Sequence, residues 1–482
     1  MTEENQNRNV RLPAMILAPV FCALVLFSFL KTDFVFSLAG KTIELRPVDL
    51  FADLKPSTDS KSIAKSRPKT AADVMKGFID RDTLSKKKGF VELADYGVGT
   101  FGMMENFFDA LSKIKIQKRK VHIAYYGDSL IEGDILLQDL RERLQKIFGG
   151  RGVGFMPITS ITAGFRQTIT HHASGNWKKY SIKEDSKLKI PLGYIGETFV
   201  PAPVGGASDS SGASGSWVEY SPTNHKPGLD KFYNITLYYS AATEGDYISF
   251  TTDKTHYKKL ALKPGNACQS LQLNEAKTPA TILRVRFYCQ GTTYFYGVNF
   301  DDETGVYIDN LSMRGSSGQP LTAISSNIIQ AMAKNMNTKL CVMQFGINAD
   351  PNATKHTSYM NGMEKVVDHF KECFSDATIL ISSVSDRARN NAGTFKTYEG
   401  IRALAVSQEE LAKKEKVVFY PLLDAMVSDG GIASYVSASP PMANKDYTHL
   451  NWRGGEHVAD LIYYSFYYGY KKFLWLRDHK NL

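Results

Sequence analysis

The stretch Val121-His122-Ile123-Ala124-Tyr125-Tyr126-Gly127-Asp128-Ser129-Leu130 decides how the chain is read. Residues 121–126 form a short apolar, aromatic run that predicts a buried strand. Beyond the turn, Ile131, Ile135, Leu136, Leu140, Leu144 and Ile147 recur at helical spacing until Gly149-Gly150 stops the helix. A strand that turns tightly into a helix puts Ser129 at the carboxyl edge of a sheet, where open α/β folds hold their ligands. The helix start adds unpaired amide donors and partial positive charge, an environment that stabilises an oxyanion. The same residues have a purely structural reading, because Ser129 with Glu132 matches a capping box and Asp128 is also a good cap.

Outward from this unit, the chain falls into three regimes. Residues 99–159 carry the strand-turn-helix unit, preceded by a helical pattern at Phe101, Phe107, Phe108, Leu111 and Ile114. Residues 160–311 hold Gly/Ser-rich loops, as in 205–216, and short aromatic or β-branched runs at 232–239, 247–251, 281–288 and 305–308. Without long amphipathic helices, this stretch predicts an inserted β-sandwich. Residues 312–482 return to alternation, with helices over 321–334, 360–374 and 398–414, strands over 339–345, 378–383 and 417–420, and a last helix after Asn451. Such alternation is the mark of a parallel sheet covered by helices on both faces. A length of 482 residues suits these two folded units.

The amino terminus differs from both. Residues 12–30 are apolar and uncharged, with Arg8 and Arg11 before them and Lys31 after. That length spans a bilayer as one helix, and the flanking charge predicts residues 1–11 in the cytoplasm and the body beyond the inner membrane, in the periplasm. A cleaved signal peptide is the rival reading, with small residues at Ser37-Leu38-Ala39. Residues 31–98 read as a stalk or linker with one short helix. Beside Cys22 in the apolar run stand Cys268, Cys289, Cys341 and Cys373; export permits a Cys268–Cys289 disulfide, and buried thiols are the alternative. The net charge of +9 is spread along the chain, which argues against a nucleic-acid partner. The oligomeric state is left open.

Far downstream, Asp446-Tyr447-Thr448-His449 stands directly ahead of the final helix. Residues three apart in a turn project to one side, so Asp446 can orient the His449 ring, and an oriented imidazole is what a serine needs to lose its proton during attack. With Gly127-Asp128-Ser129-Leu130 first, Gly315 within residues 310–318 second, Gly346-Ile347-Asn348 third and Asp446 with His449 last, the sequence resembles the SGNH, or GDSL, hydrolase superfamily, whose blocks occur in this order. The resemblance implies a three-layer α/β/α SGNH (flavodoxin-like) domain. It implies Ser129 as nucleophile, His449 as base and Asp446 as its partner. The Gly315 amide and Asn348 side chain are then oxyanion donors. Read alone, Gly315 and Asn348 are ordinary turn residues.

Residues 149–155 (GGRGVGF), the β-rich insert and Asp424-Ala425-Met426 narrow the resemblance to exported peptidoglycan O-acetylesterases, whose insert is thought to bind glycan, as a carbohydrate-binding module does. Ala349 departs from the aspartate that many members carry after the third-block asparagine. The implied partner is an acetylated glycan polymer. An O-acetyltransferase using the same acyl-serine is the alternative enzyme, and a non-catalytic glycan-binding scaffold the alternative from another class. No metal or organic cofactor is implied: residues 150–154 lack the Lys-Ser/Thr of a phosphate loop, and His171-His172, read as an exposed strand, lacks a second ligand pair. Trp177, Trp217, Tyr238, Tyr239, Tyr294 and Tyr296 are candidates either for stacking on sugars or for filling a β core.

Overall fold

A computed structural model describes a hairpin at 34–38 and 41–45 and then residues 71–479, except 100–101, 185–188, 204–214 and 276. The hairpin pairs Phe34–Leu38 with Lys41–Leu45 and is separate from the compact unit that starts at Ala71.

The central sheet runs in the order Gly305–Ser312, Lys120–Gly127, Thr338–Gln344, Thr378–Ser382, Val418–Tyr420 and Ala94–Asp95. The first five strands are parallel, whereas Ala94–Asp95 is antiparallel to its neighbour. The expected wholly parallel sheet is therefore mixed at one edge. Successive strand residues face opposite sides, so Tyr125 enters one core and Tyr126 the other. On the Tyr125 side pack helices Met104–Gln117, Leu137–Phe148 and Trp452–Asp478, through Phe107, Leu140 and Val458. On the Tyr126 side pack Ser326–Met336, Thr357–Cys373 and Glu399–Glu415, through Ile328, Val366 and Leu411. Burial on both faces is why these strands read as continuous apolar runs.

The insert is a two-sheet sandwich around a third core that includes Val218, Ile235, Ile248, Phe287 and Val298. Its limits differ from the expected 160–311. Gly154–Met156 already pairs with Tyr294–Asp301 inside the sandwich, and Gly305–Ser312, expected in the insert, lies parallel to Lys120–Gly127 in the central sheet. Where insert and sheet meet, His122 is wholly buried with Nδ1 3.0 Å from Asp309 and Nε2 3.2 Å from Asp301. Although burial works against the charged ring, these two carboxylates raise its pKa.

Several expectations are corrected. The membrane-spanning helix over 12–30 and the cytoplasmic 1–11 lie outside the described residues. Among the described residues no helix is long and apolar enough to cross a membrane; the longest, Trp452–Asp478, carries Glu456, Asp460, Lys471 and Lys472. The inner-membrane, periplasmic placement is withdrawn with the anchor. The stalk over 31–98 contains folded parts, since helix Ala71–Arg81 packs on the last helix through Phe78 against Tyr468, and Trp475 Nε1 donates to the Val74 carbonyl at 2.9 Å. The cysteines Cys268, Cys289, Cys341 and Cys373 are free thiols, so the first two form no disulfide. The strand that carries His171-His172 is exposed on one side only: His172 faces out, whereas His171 is buried against the Tyr220 ring, and burial pushes its pKa down to about 4. Tyr238, Tyr239 and Tyr296 are buried core residues, which removes them as sugar contacts.

Candidate active site

Three loops leave neighbouring strands at the carboxyl edge of the sheet, where Ser312 and Gln344 lie opposite Gly127 on either side. The turn after Gly127 is not a continuous helix start. Ser129–Asp134 is a 3-10 segment that kinks at Glu132 and Gly133, and the α-helix begins only at Leu137. Asp128, not Ser129, caps this segment, accepting a hydrogen bond from Leu130 N at 3.0 Å. The Ser129 hydroxyl is thereby spared capping and is available to the site.

Ser129 Oγ lies 3.0 Å from His449 Nε2, and His449 Nδ1 lies 2.7 Å from Asp446 Oδ2. A carboxylate only accepts, so Nδ1 carries the ring proton and Nε2 is left to accept from the serine. Asp446 also takes the amides of Thr448 and His449, each at 3.0 Å on Oδ1. Partial burial opposes its charge, yet the His449 ring and these amides hold its pKa below the usual carboxylate value. Between the two, Tyr447 adopts a positive φ of 54° and stacks on Phe395 with ring centroids 3.6 Å apart. The stacking ring comes from a hairpin, Ala388–Asn391 with Thr394–Thr397, which supports the Asp446–His449 turn from outside.

Gly315 and Asn348 reach the same edge but are joined to each other's loop rather than to Ser129. Asn348 Nδ2 donates to the Ser316 carbonyl at 3.0 Å, leaving its second amide hydrogen for another acceptor. Gly315 sits at φ +71° in the turn after Ser312.

Two buried acids hold this assembly: Asp134, which the sequence reading did not place, and Asp128, which it offered as a cap. Asp134, wholly buried, takes two hydrogen bonds from Arg141 at 2.9 and 2.8 Å, and others from Arg166 at 3.0 Å, Thr168 at 2.8 Å and Asn310 at 3.1 Å. Arg166 and Thr168 belong to the insert, so the insert braces the turn that carries Ser129. Phe165 presses on Gly133 so closely that a Cβ there would lie 2.0 Å from the ring. No short-range pattern in the sequence marks Asp134, because its partners lie up to 176 residues away.

Asp128 is the second acid. Burial pushes its carboxyl up to about 6, against the pull of the Leu130 and Ile347 amides and the His449 charge. Since the folded value lies above the usual one, the fold disfavours the ionised form, and this contribution to stability falls as pH rises from about 4 through about 6. In Asp128→Asn the pH dependence in this window should flatten. Urea midpoints of the two proteins across it check this, and parallel curves would refute it.

A cleft of about 480 Å³ opens beside the site, between the insert, with Trp177, Lys179, Lys183 and Glu197, and Glu132 and Arg314 at the carboxyl edge of the sheet. Among the described residues no cluster of acidic, His or Cys side chains could hold a metal ion.

No protein-family model and no curated protein sequence matches the chain. Solved structures do. The backbone matches a peptidoglycan O-acetylesterase, captured in action, with a TM-score of 0.60 at 16% identity over 78% of this chain and 98% of the other. The two chains thus share a fold. A GDSL-like lipase from Parabacteroides merdae (TM-score 0.23, 13% identity, 33% of this chain and 72% of that one) and a family two carbohydrate esterase from Clostridium thermocellum (0.21, 11%, 61% and 97%) are too remote to carry further argument. In this fold the turn that carries Ser129, the Gly315 turn and the Asn348 loop leave three adjacent parallel strands.

Proposed function

We propose that this chain is a carbohydrate O-acetylesterase that hydrolyses acetyl esters on a polysaccharide, with peptidoglycan as the first candidate. Ser129 attacks the ester carbonyl while His449 takes its proton and Asp446 keeps the ring in the productive tautomer. The amides of Ser129 and Gly315 and the free Asn348 amide hydrogen hold the oxyanion; its collapse breaks the bond to the sugar oxygen, which takes the proton back from His449 and leaves as the free hydroxyl. His449 then deprotonates a water that cleaves the acetyl-serine to acetate and restores Ser129. The observation that carries the reading is the unbroken run of short contacts from Ser129 Oγ through the His449 ring to Asp446.

The substrate class is supported by the cleft, whose charged and hydroxyl-bearing walls suit a sugar better than an acyl chain. Similarity to a peptidoglycan O-acetylesterase points the same way at the level of fold. The test is acetate release by the full chain from O-acetylated peptidoglycan and from other acetylated glycans. Release from peptidoglycan is expected; release confined to another glycan overturns the polymer, and none from any overturns the activity. Asn348→Ala should remain folded and lose roughly 100-fold or more in kcat, the usual cost of one oxyanion donor. Unchanged kcat would remove Asn348 from the mechanism.

A further inference from the structure

The loop that carries Gly315 is a turn with two available forms. Ser316 N donates to the Met313 carbonyl at 3.0 Å, and Gly315 has φ +71° while Arg314 does not share the left-handed region. Those features define a type II turn, which differs from type I mainly by rotation of its central peptide. Here that peptide joins the Arg314 carbonyl to the Gly315 amide. Its planarity makes the carbonyl and the N–H point in opposite directions, so whatever holds the one aims the other. Glycine at the third position tolerates either form. Packing does not decide between them, since a Cβ on Gly315 would have a single neighbour, the Lys183 ammonium at 3.6 Å.

Lys183 comes from the inserted module, and its Nζ donates to the Arg314 carbonyl at 2.5 Å. We propose that Lys183 is a positioning residue: by holding that carbonyl it keeps the Gly315 N–H turned toward the oxyanion, so the insert completes the reaction site. A cation on the carbonyl also polarises the peptide and strengthens its N–H as a donor. The module is then more than a substrate holder. This rests on the reading of Gly315 as an oxyanion donor.

The experiment measures kcat and KM of the full-length protein and of Lys183→Met, Lys183→Arg and Gly315→Ala, on an acetylated glycan and on a small aryl acetate too short to fill the cleft. For Lys183→Met, kcat should fall roughly tenfold on both substrates with KM unchanged, less than the loss of the donor outright. Lys183→Arg should recover most of it, because a guanidinium donates to the same carbonyl. Gly315→Ala, whose methyl group disfavours positive φ and so drives the turn over, should lose at least as much kcat as Lys183→Met. Full activity in Gly315→Ala sinks the oxyanion reading itself. An impaired Gly315→Ala beside an unimpaired Lys183→Met sinks the role of Lys183 alone. A raised KM for the glycan only, with aryl acetate turnover intact, makes Lys183 a sugar contact and also overturns the proposal.

Discussion

Ser129→Ala is expected to release no measurable acetate, a loss on the order of 10⁴-fold or more, while folding as the parent does. The magnitude follows from the chemistry: the acyl-serine route is removed, and a properly oriented imidazole has nothing to deprotonate in the first step. What remains is whatever the oxyanion donors achieve with water. The small structural effect follows from the contacts, because among the described residues the hydroxyl bonds only to His449, and the helix cap that a serine could have supplied is made by Asp128. Stability within about 1 kcal/mol of the parent is expected, the scale of one ordinary hydrogen bond. Acetate assays and denaturant unfolding on the same preparations check both halves. Equal acetate from both proteins would mean that Ser129 is not the nucleophile.

The largest expected effect on stability is at Arg141. Its guanidinium is 2% exposed and grips Asp134, which is 0% exposed, with two bonds. Burial opposes the Asp134 charge, but Arg141 and then Arg166 outweigh it and hold the carboxyl far below its usual value. Arg141→Met keeps much of the volume but takes away the principal counter-charge, which for a buried pair costs about 3–5 kcal/mol. A depressed carboxylate stabilises the fold above its unfolded pKa and loses that contribution as pH falls, so the deficit of the variant should be widest near neutrality and shrink in acid. Urea unfolding at two pH values measures it. A deficit under about 1 kcal/mol at neutral pH would show that Arg166, Thr168 and Asn310 suffice.

Much of this architecture was legible in the sequence where signals are local. The run 121–126 and the apolar strands over 339–345 and 378–383 are continuous because both faces are covered, and the structure has strands at Lys120–Gly127, Thr338–Gln344 and Thr378–Ser382. Gly149, read as a helix stop, caps Leu137–Phe148 at φ +83°. Gly305–Ser312 was misassigned because a parallel edge strand with aromatic and β-branched residues looks like its sandwich neighbours until its partner is known. The kink after Ser129 was missed because Ile131, Ile135 and Leu136 keep helical spacing across a segment that is not one helix. Of the site, Ser129, Asp446 and His449 announce themselves by residue type and spacing, and the structure brings them together. Lys183 does not, because its bond to the Arg314 carbonyl joins residues 131 apart and leaves no trace in composition.

The insert begins and ends on one antiparallel pair of strands, with Gly154, Phe155 and Met156 opposite Phe300, Asn299 and Val298. The module nonetheless shares its packing with the host sheet, since Ile182, Leu192, Tyr194 and Tyr296 are buried in one core with Tyr126 and Met343. Arg166, Thr168 and Lys183 also reach back across the threshold, and any graft that drops them would lose the bracing of the turn that carries Ser129 and the hold on the turn that carries Gly315.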